Sequence, residues 1–225
     1  MQKVLRARTG RLAAALAVSA GLACGLLVIR ALAAGNLDFW FLPWNLFLGY
    51  LPILFAWLFV RRARRTRLME WQNLVLALLW LGFLPNSFYI ITDLIHLRAT
   101  GDISILYDAV MVMSFIWSGL LAGFLSMYMM HQLALKKLPR RDAHGLVAVV
   151  LLLCSFAIYL GRYLRWNTWD ILINPFGLVF DVSERFINPS DHPQAFSTTL
   201  VFFVLLSSMY WSLYQIVLAI RDERQ

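Results

Sequence analysis

Charged residues are scarce in this sequence, and their scarcity excludes most soluble folds. Only 14% of the 225 residues are Asp, Glu, Lys or Arg, whereas 61% are hydrophobic. This composition is too apolar for a soluble domain of that length, and it is too evenly apolar for one membrane anchor joined to a globular head. We therefore predict a protein that crosses the membrane several times.

Motifs of familiar enzymes and of nucleic-acid-binding proteins are also missing. The sequence contains neither G-x-S-x-G nor H-E-x-x-H, so it indicates neither a hydrolase nucleophile nor a zinc-protease helix. The net charge is +8, but the sequence contains no zinc-finger, helix-turn-helix or RNA-recognition pattern. We therefore predict no nucleic-acid partner. Cys24 and Cys154 lie deep in apolar runs without metal-ligand spacing, which is typical of packing residues.

What the sequence does contain is a series of long uncharged runs. A helix needs about 20 residues to cross a bilayer, and six runs reach or approach that length. We predict an all-α, polytopic helical bundle that forms a single domain over residues 1–225, with spans at about 12–34, 39–60, 71–97, 105–130, 145–166 and 195–220. The fifth span is extended past Arg162 because arginine near a helix end can reach the interface.

Basic residues cluster in alternate segments between these spans. With the N-terminus inside, the inner segments hold 15 of the 20 basic residues: Lys3, Arg6, Arg8, Arg11, Arg61, Arg62, Arg64, Arg65, Arg67, Lys136, Lys137, Arg140, Arg141, Arg221 and Arg224. The outer segments hold five basic residues and eight of the 12 acidic ones. The positive-inside rule therefore predicts that both termini are cytoplasmic.

The N-terminal run resembles a secretory signal that ends in Ala31-Leu32-Ala33. Its apolar stretch is longer than the usual 7–15 residues, and Arg30 directly precedes the cleavage-like site. We expect the first helix to be retained, and the remaining topology is the same in either case.

The longest segment between spans contains an amphipathic element. Asn174 and Pro175 form a helix-start signal before the sequence FGLVFDVSERFI. We predict a short helix at the outer interface, with Glu184 toward water and an apolar face formed by Phe176, Val179, Phe180 and Phe186. Such a helix could cover a pocket.

Polar residues interrupt the third span near its outer end. At 100° per residue, Asn86, Tyr89, Asp93 and His96 fall within an arc of about 80° on one helix face. Pro85 lies about 21 Å along the span, and the backbone groups that it frees need other partners. Because lipid strongly disfavours such groups, the stripe indicates a working surface.

Other spans place polar residues at the same depth, and these are Asn45, Asp108, Arg162, Arg165, Asn167 and Asp170. We predict that they converge with the stripe in the outer third of the bundle. One interpretation is a structural network in which Asp93, Asp108 and Asp170 pair with Arg162, Arg165 and Arg98. The interpretation that we favour is a site that binds a ligand and also holds the helices together.

Four motifs carry a resemblance to a known family. They are PWNLFLGYLP at 43–52, LPNSFYIITDLIHL at 84–97, LYD at 106–108 and GRYLRWNTWD at 161–170. Together they resemble a family of bacterial integral membrane proteins known as domain of unknown function 1361. The resemblance implies a multi-pass protein of the bacterial cytoplasmic membrane, and it implies no activity.

The residue types indicate which chemistry the site could perform. Asp93 and His96 are candidate catalytic residues, as a carboxylate and imidazole for proton transfer or as metal ligands, although the sequence identifies neither a metal nor a cofactor. Arg162 and Arg165 could hold a phosphate or carboxylate by forked hydrogen bonds. The other candidate substrate-binding residues are Asn45, Asn86, Tyr89, Asp108, Asn167 and Asp170.

This set favours a pocket that binds or processes an anionic lipid head group or a lipid-linked envelope precursor, with membrane lipids as partners. A small-solute or ion transporter is an alternative, although no internal repeat or midplane site is visible. A non-catalytic envelope assembly protein is another, because the spacings Ser114/Ser118 and Gly119/Gly123 permit close helix packing. The sequence identifies no protein partner, and it leaves open whether the protein is an enzyme.

Overall fold

The protein is an all-α bundle. The computed structural model describes residues 2–98 and 103–223. Asp102, one of the acidic residues of the outer segments, and Arg224, one of the basic residues of the inner segments, lie outside these ranges. Within those ranges the elements are α1 (Gln2–Ala34), α2 (Phe41–Ala63), α3 (Trp71–Tyr89), the 3-10 helix Ile90–His96, α4 (Ile105–Lys137), α5 (Arg140–Tyr163), α6 (Asp170–Ile173), α7 (Pro175–Ile187), the 3-10 turn Pro189–Asp191 and α8 (Pro193–Asp222).

Six of these helices are long and apolar enough to cross a membrane, and they confirm the predicted number of spans. They cover Gly10–Ala34, Phe41–Ala63, Trp71–His96, Ile105–Lys137, Arg140–Tyr163 and Pro193–Asp222. The chain is therefore a multi-pass membrane protein whose outer helix faces contact lipid. Which face of the membrane holds the termini stays a prediction from the basic clusters.

Helix α4 lies at the centre of the bundle, where it packs against α1, α2, α3 and α5, while α8 packs mainly on α5. Its small residues allow a close approach of α3. A Cβ on Gly123 would lie 2.7 Å from the Ser87 Cβ, and one on Gly119 would lie 3.0 Å from the Ser87 carbonyl oxygen. The Ser87 hydroxyl in turn donates to the Gly49 carbonyl of α2 at 2.6 Å. These small residues therefore hold the internal bundle together, and Ser87 is a packing residue.

The third span changes its helix type after its proline. Helix α3 continues through Pro85 to Tyr89, and the chain then tightens into the 3-10 helix Ile90–His96. The single α-helical face predicted for the whole stretch therefore ends at Tyr89. With three residues per turn, Asp93 and His96 lie almost directly in line along the axis of the 3-10 helix.

Candidate functional site

A cavity of about 280 Å³, lined by both polar and aromatic side chains, opens at the end of the bundle opposite the arginine-rich connections. Its walls are α2, α3 with its 3-10 extension, and α5, and its rim is formed by the loop after α5 together with α6 and α7. Seven of the ten predicted site residues line it: Asn45, Asn86, Tyr89, Asp93, His96, Arg162 and Asn167. The structure thus brings most of the predicted set together.

Asp93 is the buried acid of this cavity. Its residue is 2% exposed, and its Oδ2 accepts a hydrogen bond from the Asn45 amide of α2 at 3.0 Å. His96 lies one 3-10 turn further on and is exposed, with its ring 4.9 Å from that of Phe41. The imidazole is therefore held at the mouth by an aromatic contact, while Asp93 is held deeper by an amide.

Arg162 lies on the last turn of α5 and faces the same cavity. Its residue is only partly buried, and among the described residues no acidic side chain lies within 4.0 Å of its guanidinium group. Asp93 and Arg162 therefore share a cavity without forming an ion pair. An arginine in this state keeps its forked donors available to a ligand.

The end of α5 separates Arg162 from Arg165. Leu164 is the last residue with helical dihedral angles, and Arg165 adopts a left-handed conformation with φ 60°. The Trp166 backbone amide then donates back to the Leu160 carbonyl at 3.2 Å. This turn ends the helix at Tyr163, earlier than the predicted 166, and it leaves the Arg165 side chain exposed.

The loop after α5 docks onto the proline-containing part of α3 through a residue that the sequence analysis missed. The Asn86 amide donates to the Phe83 carbonyl and to the Thr168 hydroxyl, both at 3.0 Å. Thr168 also contacts the Gly82 carbonyl at 3.5 Å. The need for hydrogen-bond partners near Pro85 was visible in the sequence, but one threonine in a loop carries no periodic signal.

Close packing between α3 and α5 fixes the Tyr89 ring. A Cβ on Gly161 would lie 3.1 Å from the Tyr89 Cε2 atom, so this wall of the cavity has no room for a larger residue. Aromatic rings of Phe41, Trp44 and Trp166 also line the cavity. The sequence analysis did not include these rings among the candidate binding residues.

The short helix α7 is confirmed, and it borders the cavity through Leu178. The Asn174 side chain accepts a hydrogen bond from the Gly177 amide at 3.0 Å, as the helix-start signal predicted. The Trp166 indole donates to Asp181 of α7 at 2.7 Å, which ties this helix to the loop at the rim.

The apolar side of α7 is largely exposed, with Phe176, Val179, Phe180 and Phe186 all at least 61% accessible. An amphipathic helix with such a face lies naturally at a membrane interface.

Three predicted site residues do not line the cavity. Asp108 forms a buried ion pair with Arg30 of α1 at 3.2 Å, so its carboxylate is committed to helix packing. Asp170 accepts from the Asn167 backbone amide at 2.7 Å and shapes the start of α6. Arg165 is turned away by the backbone described above. Their assignment to ligand binding is not supported by these positions.

No metal centre is evident from the side chains that the structure describes. Within residues 2–98 and 103–223, no group of three or more His, Cys, Asp and Glu side chains is placed to hold a metal ion. The site instead combines one buried carboxylate, one imidazole, one guanidinium group, three amides and several aromatic rings. These side chains offer both hydrogen-bond donors and acceptors beside apolar ring faces.

Comparison with protein families adds one finding. The model of the family described as Protein of unknown function (DUF1361) matches residues 44–209. The chain belongs to this family. All seven cavity residues from the predicted set lie inside the matched region, whereas Arg30 lies before it. No curated protein matched the chain. No solved structure matched it either.

Proposed function

We propose that this cavity binds the anionic head group of a membrane lipid or of a lipid-linked envelope precursor. The observation that carries the proposal is Arg162, a cavity-facing guanidinium group with no acidic partner within 4.0 Å among the described residues. The planar fork of an arginine matches a phosphate, which it can hold by two parallel hydrogen bonds.

The rim of the cavity suits a ligand that stays in the membrane. Trp44 is 49% exposed, Trp169 is 40% exposed and Ile171 is 46% exposed. These apolar side chains stand where a lipid tail would lie when its head group occupies the cavity. A head group could therefore enter sideways between α2 and α5 without leaving the bilayer.

The remaining polar groups suit a head group that carries hydroxyls as well as charge. The amides of Asn45, Asn86 and Asn167 offer donors and acceptors, and the Trp166 ring offers an apolar face. A glycosylated phosphate has this mixture of hydroxyl edges, apolar C–H faces and negative charge. This favours a lipid-linked precursor over a simple phosphate.

Processing of the head group would use Asp93 and His96 for proton transfer. Asp93 lies at the buried wall and His96 at the mouth, so a ligand atom between them could give a proton to one group and take one from the other. Asn45 would hold the carboxylate in place during such a step.

We further propose that the cavity faces the outer leaflet of a bacterial cytoplasmic membrane. Basic residues crowd the connections at the opposite end of the bundle, as the positive-inside rule requires of a cytoplasmic face. The anionic ligand would then be an envelope component on the outer side.

Mass spectrometry of membrane lipids tests the function. A strain of the source organism that lacks the protein should accumulate a phosphate-bearing lipid or lipid-linked species. Expression of the natural chain should return that species to its normal level, and expression of the Asp93→Asn variant at equal abundance should not. An unchanged lipid profile in the deletion strain would contradict the proposal.

A further inference from the structure

A second cavity lies at the opposite end of the bundle and shares no residue with the site described above. Its volume is about 500 Å³, and it is formed mainly by α3, α4 and α5. Its lining is aliphatic, methionine and aromatic except for two polar side chains, His131 and Lys137 of α4. A water-filled cavity would carry more polar groups, so this composition fits a lipid tail.

His131 is a buried residue whose hydrogen bonding is incomplete. It is 2% exposed, and its Nδ1 lies 2.8 Å from the Tyr210 hydroxyl of α8. The rings of Tyr214 and His144 pack against it at 5.0 and 4.9 Å. Its Nε2 is buried and has no hydrogen-bond partner among the described residues. A polar atom in that state destabilises a protein unless a ligand or an ordered water completes its bonding. Because less than 1 Å² of Nε2 is accessible, a ligand in the cavity would reach it after a small shift of the imidazole.

We propose that this cavity binds one phospholipid from the adjacent leaflet, with an ester carbonyl on His131 Nε2 and the phosphate on Lys137. His131 and Lys137 are six residues apart on α4, or about 9 Å along the helix axis. In a bilayer leaflet, the ester carbonyls of a glycerophospholipid lie deeper than its phosphate. The order of His131 and Lys137 along α4 matches this order. The flexible Lys137 stem can adjust the remaining distance.

The hydrogen-bond directions agree with this assignment. An ester carbonyl only accepts, so His131 must carry its proton on Nε2. The Tyr210 hydroxyl then donates to Nδ1, which the 2.8 Å contact allows. The acyl chains would run along the apolar wall, which includes Leu78 and Met130. Unlike ordinary lipid contact, this binding depends on one imidazole and one ammonium group.

Two variants remove the proposed contacts, and two matched variants leave them. His131→Asn removes Nε2 but keeps a polar atom near the position of Nδ1, and Lys137→Ala removes the ammonium group. Tyr210→Phe removes the other hydrogen bond of His131 and keeps Nε2. Lys136→Ala removes the neighbouring charge, which does not line the cavity.

The measurement is native mass spectrometry of the full chain purified in a mild detergent, with the bound lipid quantified after extraction. The natural chain, Tyr210→Phe and Lys136→Ala should each retain one phospholipid per protein. His131→Asn and Lys137→Ala should retain it about three- to tenfold less, as expected for the loss of one hydrogen bond or one ion pair. Ala134→Leu, which fills the cavity, should lower retention without touching either polar group.

Rebinding identifies the lipid chemistry. Delipidated protein is titrated with dioleoyl phosphatidylglycerol or with dioleoyl glycerol, which has the same ester carbonyls and tails but no phosphate. The natural chain should bind the phospholipid more tightly, and Lys137→Ala should bind the two lipids equally. Equal retention by the natural chain, Lys137→Ala and Ala134→Leu would mean nonspecific lipid contact and would overturn the proposal. A retained lipid without phosphate would also overturn it.

Discussion

Two arginine–aspartate sets at the same end of the bundle behave in opposite ways. Arg30 and Asp108 join α1 to α4 across 3.2 Å, with side chains 0% and 1% exposed, and the Arg30 guanidinium also lies 4.7 Å above the Phe39 ring. Arg162 and Asp93 face one cavity, but Asp93 accepts from Asn45 instead.

The first set is closed, because Arg30 is buried against Asp108 and also lies 3.6 Å from the Asp38 carboxylate, and the second leaves a guanidinium group open to a ligand. Identical residue types therefore serve packing in one region, and we propose that they serve binding in the other.

The sharpest contrast should come from breaking the closed pair. Asp108→Ala would leave the buried Arg30 with only the more exposed Asp38 carboxylate, 3.6 Å away, and should cost about 3 kcal/mol of stability, the low end of the range for breaking a buried pair. The readout is unfolding in mixed detergent micelles together with abundance in the membrane. Asp93→Asn, in the open set, should change stability by less than about 1 kcal/mol.

A double variant separates packing from function at the closed pair. Arg30→Leu with Asp108→Leu removes both charges and should recover most of the lost stability, because a buried ion pair is often replaceable by apolar residues. The recovered protein should also complement a deletion strain. If it is stable but inactive, Asp108 has a role in ligand binding that its geometry does not show.

The close packing of α3 on α4 gives the next largest expected effect on stability. Gly123→Ala would place a Cβ 2.7 Å from Ser87 and 2.8 Å from the Phe88 ring, where α3 meets α4. We expect a loss of about 1–3 kcal/mol in the same unfolding assay, because the packed helices must shift.

Gly145→Ala is the matched control in α5, since nothing lies within 4 Å of its added Cβ. It should be neutral or stabilising by up to about 1 kcal/mol, because alanine favours a helix interior. Equal destabilisation by both variants would contradict close packing of α3 on α4.

Much of this architecture follows from local sequence signals. Runs of apolar residues predicted all six spans, and the Asn174-Pro175 signal predicted the start of α7, because these features depend on neighbours along the chain. The stripe of Asn86, Tyr89, Asp93 and His96 was found in the same way and does line the cavity.

Contacts between distant segments were not accessible from the sequence. Arg30 and Asp108 are 78 residues apart, and nothing in either neighbourhood specifies the other. The bond from Asn86 to Thr168 likewise joins α3 to the loop after α5, 82 residues along the chain, and the switch to a 3-10 helix after Tyr89 was not predicted either. Asp108 was therefore assigned to the ligand, although its partner is Arg30.

The smallest expected effect concerns Arg165, which lies three residues after Arg162 in the same motif. Its left-handed backbone at φ 60° strains a residue with a side chain, so Arg165→Gly should stabilise the protein by about 0.5 kcal/mol. Function should be unchanged, because the side chain is exposed and does not line the cavity. A stable Arg165→Gly protein without function would show that Arg165 is a ligand-binding residue.

The most direct test of the open arginine compares Arg162→Lys with Arg165→Lys in a deletion strain. Both changes keep the charge and remove the planar fork, and only Arg162 lines the cavity. Membrane abundance is measured by immunoblot, and function is measured by recovery of the normal lipid profile.

We predict that both proteins accumulate normally, that Arg165→Lys restores the profile and that Arg162→Lys does not. Full recovery with Arg162→Lys, or its disappearance from the membrane, would contradict the assignment of Arg162 as a ligand-binding residue.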